Sequence, residues 1–121
     1  MVVIAYFRAV AMACGAFIGS LAMAGPLNAE TLGGVALAQK NNCLSCHNVD
    51  RKVVGPGLID IAKRYGDSAE SVDYLARSIM EGSQGKWGPV PMPRQVQVSP
   101  RDANALASWI LSLQDEAQLD P

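Results

Sequence analysis

One stretch of the chain joins residue types and spacing in a way that specifies chemistry: Cys43-Leu44-Ser45-Cys46-His47. Two thiols separated by two residues on one turn of backbone can reach the two vinyl groups along one side of a porphyrin. The imidazole that follows then points a nitrogen at the iron from the same face. This is the C-x-x-C-H pattern of haem c attachment. Other uses of the same residues are weaker. A redox C-x-x-C pair of the thioredoxin type opens a helix after a strand, and no strand pattern precedes Cys43. Structural zinc needs four ligands, whereas the chain has three cysteines and one histidine, with Cys14 far away in an apolar leader. A disulfide between Cys43 and Cys46 would be a strained staple.

With His47 as proximal ligand, the second axial position of the iron must be filled or open. No second histidine exists, so bis-histidine ligation is excluded. Outside the leader the methionines are Met80 and Met92. Met80 follows Ala76 and Ile79 at helical spacing and reads as core. Met92 lies in Trp87-Gly88-Pro89-Val90-Pro91-Met92-Pro93, where prolines on both sides restrict the backbone and can aim a thioether at a fixed point. A loop methionine is ordinarily a gap-filler; beside a C-x-x-C-H it becomes the expected distal ligand. Ligation by His47 and Met92 leaves no vacant position for a substrate and raises the potential. Such a site suits a one-electron carrier and not an enzyme.

Composition supports an exported protein. Half of the 121 residues are hydrophobic, but residues 1–29 contain a single charged side chain, Arg8. The apolar run over 9–24 ends in Ala22-Met23-Ala24, with Leu27-Asn28-Ala29 as a looser second site, the layout of a secretory signal peptide. We expect a leader over 1–29, cleaved after Ala24 or Ala29, and a domain over 30–121. The rival is a retained membrane anchor, since the run approaches the length of a span. Either way the domain lies outside the cytoplasm, in the periplasm. With nine basic and eleven acidic residues it carries about −2, so no basic face invites nucleic acid.

The elements that must position these groups read as short helices. A first covers Leu32 to Lys40, stopped by Asn41-Asn42. A second runs from Gly57 to Tyr65, with Leu58, Ile61, Ala62 and Tyr65 on one face and Gly66 at its end. A third follows Asp67 or Ser68 and aligns Val72, Leu75, Ala76 and Ile79 before Gly82. The last starts at Ser99-Pro100, with Asp102 completing a capping box, and presents Ala103, Leu106, Ala107, Ile110 and Leu113, with Trp109 beside them. From Gly82 to Val98, glycines and prolines forbid regular structure. A domain this small has little core of its own, and a bound cofactor would complete it.

Taken together, Cys43–His47, Val54-Gly55-Pro56, Gly82-Ser83-Gln84-Gly85, Trp87–Pro93 and Leu106–Ser112 resemble the small class I bacterial cytochromes c of the c-551 type, over nearly all of 30–121. The resemblance implies an all-α class I cytochrome c fold, four to five short helices wrapped around one covalently attached haem c and its iron. By the same resemblance, Pro56 packs by the proximal His47 and its preceding turn accepts the imidazole Nδ1–H. Trp87 donates its indole N–H to a haem propionate, and Trp109 lies where the first and last helices cross. By the residues alone, Pro56 could simply start a helix and Trp87 could be core. The chain departs from the pattern at Arg94 and Gln95, where Pro and Asn are usual, putting the hydrogen bond to the ligand sulfur in doubt. Ser78 stands where an arginine is expected, with Arg77 one position early, and Ala38 replaces an aromatic.

The function that follows is a monomeric periplasmic carrier. It would move electrons from a quinol-oxidising complex to a terminal reductase or oxidase. The alternatives are a membrane-anchored cytochrome c subunit of a respiratory complex, if the leader stays, or a haem peroxidase or sensor, if the distal position opens. Lys40, Arg51, Lys52, Lys86 and Arg94 flank the cofactor-bearing segments and could steer acidic partners, with Pro89, Val90 and Pro91 as an apolar docking patch.

Overall fold

The computed structural model of the chain describes residues 29–66 and 68–116. Residues 1–28, with Cys14 and the expected cut after Ala24, the Asp67 cap candidate and residues 117–121 lie outside them. Four α-helices run in order: α1 (Ala29–Lys40), α2 (Leu58–Tyr65), α3 (Ala69–Glu81) and α4 (Pro100–Glu116), with a 3₁₀ turn at Cys43–Ser45. α1 begins three residues earlier than expected. α2 begins one residue later, because Gly57 is extended (φ −60°, ψ 143°) and serves as its N-cap.

α4 is the hub, packing against each of the other three helices. It starts where Ser99 Oγ accepts the Asp102 N–H at 3.1 Å. Its expected face of Ala103, Leu106, Ala107, Ile110 and Leu113 is buried, and so are Trp109 and Leu111. Leu111 falls outside that single stripe because α4 has neighbours on more than one side. α2 contributes Leu58, Ile61 and Ala62 to the core, and α3 contributes Leu75, Ala76 and Ile79. Ser68 caps α3, its hydroxyl accepting from Ser71 N at 3.1 Å. Removing a cap hydroxyl costs about 1 kcal/mol. We therefore expect Ser99→Ala, at the start of the central helix, to lower the thermal midpoint by several degrees. An equal melting curve would mean that water replaces the cap.

α1 meets α4 through small side chains. A Cβ added at Gly34 would run into the Trp109 indole at Cγ, Cδ1 and Cδ2. Ala38, one turn on, is fully buried. Trp109 thus lies at the crossing of the first and last helices, and Gly34 is the residue against its ring. Between α3 and α4 the chain is less irregular than its glycines and prolines suggest. Ser83 and Met92 form an antiparallel bridge, with N–H···O distances of 3.0 Å and 2.8 Å. Gly82 makes this possible. Its φ of +82° suits glycine, and a Cβ there would sit 2.7 Å from the Met92 carbonyl oxygen.

Candidate haem-binding site

The site begins at the end of α1, where Asn42 takes a left-handed conformation (φ 59°) and turns the chain. The 3₁₀ turn that follows closes through Cys46 N–H and His47 N–H, both donating to the Cys43 carbonyl at 3.2 Å and 3.0 Å. One turn of backbone thereby brings Cys43, Cys46 and His47 to the wall of a single cavity of about 310 Å³. No disulfide joins the two cysteines. Burial pushes the Cys43 thiol up from its ordinary value. Among the described residues, no group of three His, Cys, Asp or Glu side chains converges as a metal-ion site.

His47 is oriented from two sides. Its Nδ1 lies 2.8 Å from the Pro56 carbonyl oxygen. A carbonyl can only accept, so Nδ1 carries a proton, and in the neutral ring the lone pair is then on Nε2. The acceptor is the carbonyl of Pro56 itself rather than of the turn before it. The second side is Gly55, where a Cβ would lie 2.5 Å from His47 Cε1 and 2.8 Å from Nδ1. Val54 N–H and Gly55 N–H donate to the Cys46 carbonyl at 3.2 Å and 2.8 Å, folding this loop onto the cysteine turn. We expect Gly55→Ala to push the imidazole off its axis. The yield of protein with covalently attached cofactor should fall several-fold while the apoprotein stays soluble. Unchanged yield would show that the ring can tilt freely.

Met92 lines the same cavity, held by the two-bonded bridge to Ser83. Met80 is half-buried against the core and does not line the cavity. An aliphatic part of the wall is drawn from all four helices: Ala38, Leu58, Ile61, Leu75, Ile79, Leu106 and Ile110. The Trp109 indole nitrogen also belongs to a cavity-lining residue and is buried without a hydrogen-bond partner. An apolar cavity carrying two thiols, an imidazole with a free Nε2 and a thioether fits a haem. When bound, that group supplies a reversible one-electron change between ferric and ferrous iron.

Trp87 also lines the cavity, within a cluster that sequence reasoning missed. Its ring packs edge-on to Tyr65 at 6.4 Å, and Tyr65 lies 5.1 Å from Tyr74. The Arg64 guanidinium stands 4.5 Å above Trp87 and donates to the Lys86 carbonyl at 2.8 Å. Lys86 Nζ contacts the Tyr74 hydroxyl. By its spacing Tyr65 is only the end of an apolar face, and nothing local to Arg64 or Tyr74 shows that they meet. Of the pair in α3, Ser78 lines the cavity, while Arg77 is exposed and does not. Gln95 lines it too, but its amide is engaged elsewhere. Nε2 donates to the Pro93 carbonyl at 2.8 Å, and Oε1 accepts from Gln97 at 2.9 Å.

A short helical fold enclosing a cavity with these groups defines a class of protein, and comparison with known proteins agrees. The cytochrome c family profile matches residues 33–114, and the chain belongs to that family. Its relatives are small class I cytochromes of the c-551 and c-552 type. It is 57% identical over 77 residues to cytochrome c-552 of Nitrosomonas europaea, covering 64% of this chain and 75% of that protein. It is 45% identical over 80 residues to cytochrome c-551 of Pseudomonas denitrificans, covering 66% and 96%. The crystal structure of wild-type Nitrosomonas europaea cytochrome c552 superposes with a TM-score of 0.64 at 55% identity, covering 66% of this chain and 99% of that one. The protein is a haem c electron carrier.

Proposed function

We propose that Cys43 and Cys46 carry the haem as thioethers and that His47 and Met92 are its axial ligands. Trp87 serves a propionate, and Pro56 orients the proximal imidazole. The observation that carries this reading is that His47, with Nδ1 committed to Pro56, and Met92, held by Ser83, line one cavity with both cysteines. The domain is then a periplasmic monomer released from a leader. It shuttles electrons from a quinol-oxidising complex to a terminal reductase or oxidase. An exposed edge supports shuttling: Cys46 is exposed, and Val54 and Val90 line the cavity while remaining 49% and 59% exposed. Lys40, Arg51, Lys52, Lys86 and Arg94 are all exposed and suit acidic partners.

An optically monitored redox titration tests the carrier. A single one-electron wave, with no carbon monoxide binding by the ferrous protein, is the expected result. Ready carbon monoxide binding would instead favour a peroxidase or sensor. Mass spectrometry of the exported protein tests the leader, since a chain that retains residues 1–24 would be the membrane-anchored form. Electron-exchange rates with an acidic partner should fall as salt rises; a flat salt profile would remove the steering role from the basic residues.

A further inference from the structure

The loop carrying Met92 is tied through its backbone to α3 and the residues just after it: Gln95 N–H donates to the Ile79 carbonyl at 3.1 Å, and Met92 pairs with Ser83. These bonds hold the loop to one wall of the cavity only. A different bond reaches the wall that bears the cysteines. Gln97 Nε2 donates to the Asn41 carbonyl at 3.2 Å, across 56 residues of sequence. With its second hydrogen the same amide donates to Gln95 Oε1 at 2.9 Å.

Asn41 is a fixed point. It is 5% exposed, its backbone N–H donates to the Leu37 carbonyl at 3.1 Å, and its side-chain Nδ2 donates to the same oxygen at 2.9 Å. It stands two residues before Cys43, whose thiol also approaches the Asn41 carbonyl at 4.0 Å. A thioether sulfur has no proton to donate. Once Cys43 is alkylated, Gln97 is the donor left to that carbonyl.

We infer that Gln97 is a positioning residue, a clamp that holds the Met92 loop against the cysteine-bearing turn and slows departure of the Met92 sulfur from the iron. This rests on Met92 being the distal ligand. Gln97 touches neither the cofactor nor the sulfur. It acts by closing the gap that the loop would otherwise open, since the loop's other tethers to α3 do not span the cavity.

The test uses the full-length ferric holoprotein with imidazole as the incoming ligand, followed by loss of the sulfur-to-iron charge-transfer band. At saturating imidazole the rate reports Met92 departure. Gln97→Ala should raise that limiting rate about fivefold, the change one net hydrogen bond supports. Gln97→Glu has nearly the same shape but cannot donate to a carbonyl, so it should be at least as fast as Gln97→Ala. Gln84→Ala, at another exposed loop position, should match the parent. A Gln97→Glu rate equal to the parent would overturn the clamp by showing that only side-chain bulk matters, and unchanged rates in both variants would overturn it outright. If the parent lacks the charge-transfer band, the assignment of Met92 as ligand fails, which is distinguishable from failure of the clamp.

Discussion

Met92→Ala is expected to abolish the weak charge-transfer band at the red end of the ferric spectrum, and the ferrous form should then bind carbon monoxide. The potential should fall by on the order of 0.1–0.3 V, a fraction of the ~0.8 V that axial ligation can span. The size of the effect follows from what surrounds Met92. Alanine cannot ligate, and the chain has no second histidine. Met80, the other methionine of the described residues, packs against the core and does not line the cavity. No other sulfur ligand stands by to fill the position, so a small exogenous molecule would enter it. Thioether ligation favours the ferrous state, and its loss removes that preference. Met80→Ala is the control. It should keep the band and cost about 2 kcal/mol, the low end for a methionine truncated in a core. A band that survives Met92→Ala would remove Met92 from the iron and the carrier mechanism with it.

Two adjacent glycines of α1 should respond to the same substitution with opposite signs. Gly33 has nothing within 4 Å of an added Cβ. Gly33→Ala should therefore stabilise by about 1 kcal/mol, the helix-propensity difference between the two residues. At Gly34 the added carbon would enter the Trp109 indole, which is 5% exposed. Gly34→Ala must then push α1 off α4, and overpacking of this kind costs about 1–3 kcal/mol. We expect the upper end, near 3 kcal/mol, because the clash meets a rigid ring rather than the tip of a flexible chain. Thermal denaturation of the two variants, compared at equal cofactor content, reads the split directly. If Gly34→Ala melts at or above the parent, the close α1–α4 contact is wrong. Trp109→Leu should partly rescue Gly34→Ala, because it removes the indole from the position the new methyl needs.

The glycine pair also shows where sequence reading reaches its limit. The apolar faces of α2 and α3 were legible because Leu58, Ile61 and Ala62, and Leu75, Ala76 and Ile79, recur at helical spacing and are large enough to register. The buried face of α1 is Gly34 and Ala38, whose small side chains give almost no periodic signal. They are buried because α1 approaches α4 closely, and closeness of approach belongs to the pair of helices rather than to either sequence. The start of α4 was legible for the opposite reason. Ser99 and Asp102 are three residues apart, and the bond between them needs only one turn of backbone. Between α3 and α4, the glycines and prolines correctly announced a break in helix. They could not announce that Ser83 would pair with Met92, because that bridge depends on how the loop returns.

By itself, the sequence determined the chemistry. Cys43, Cys46 and His47 are adjacent enough that a single turn must present them together, and a thiol pair with a histidine at that spacing specifies haem c. It also determined the four-helix pattern and singled out Met92 by its flanking prolines. The tertiary structure decided which distant groups meet. It set the Pro56 carbonyl on His47 Nδ1, the Arg64 guanidinium over Trp87, the Trp109 indole against Gly34 and the Gln97 amide on Asn41. The physical reason is range. Attachment patterns and helix caps act within a turn of backbone, so residue spacing encodes them. These contacts join segments up to 75 residues apart, and they exist only once the helices have packed.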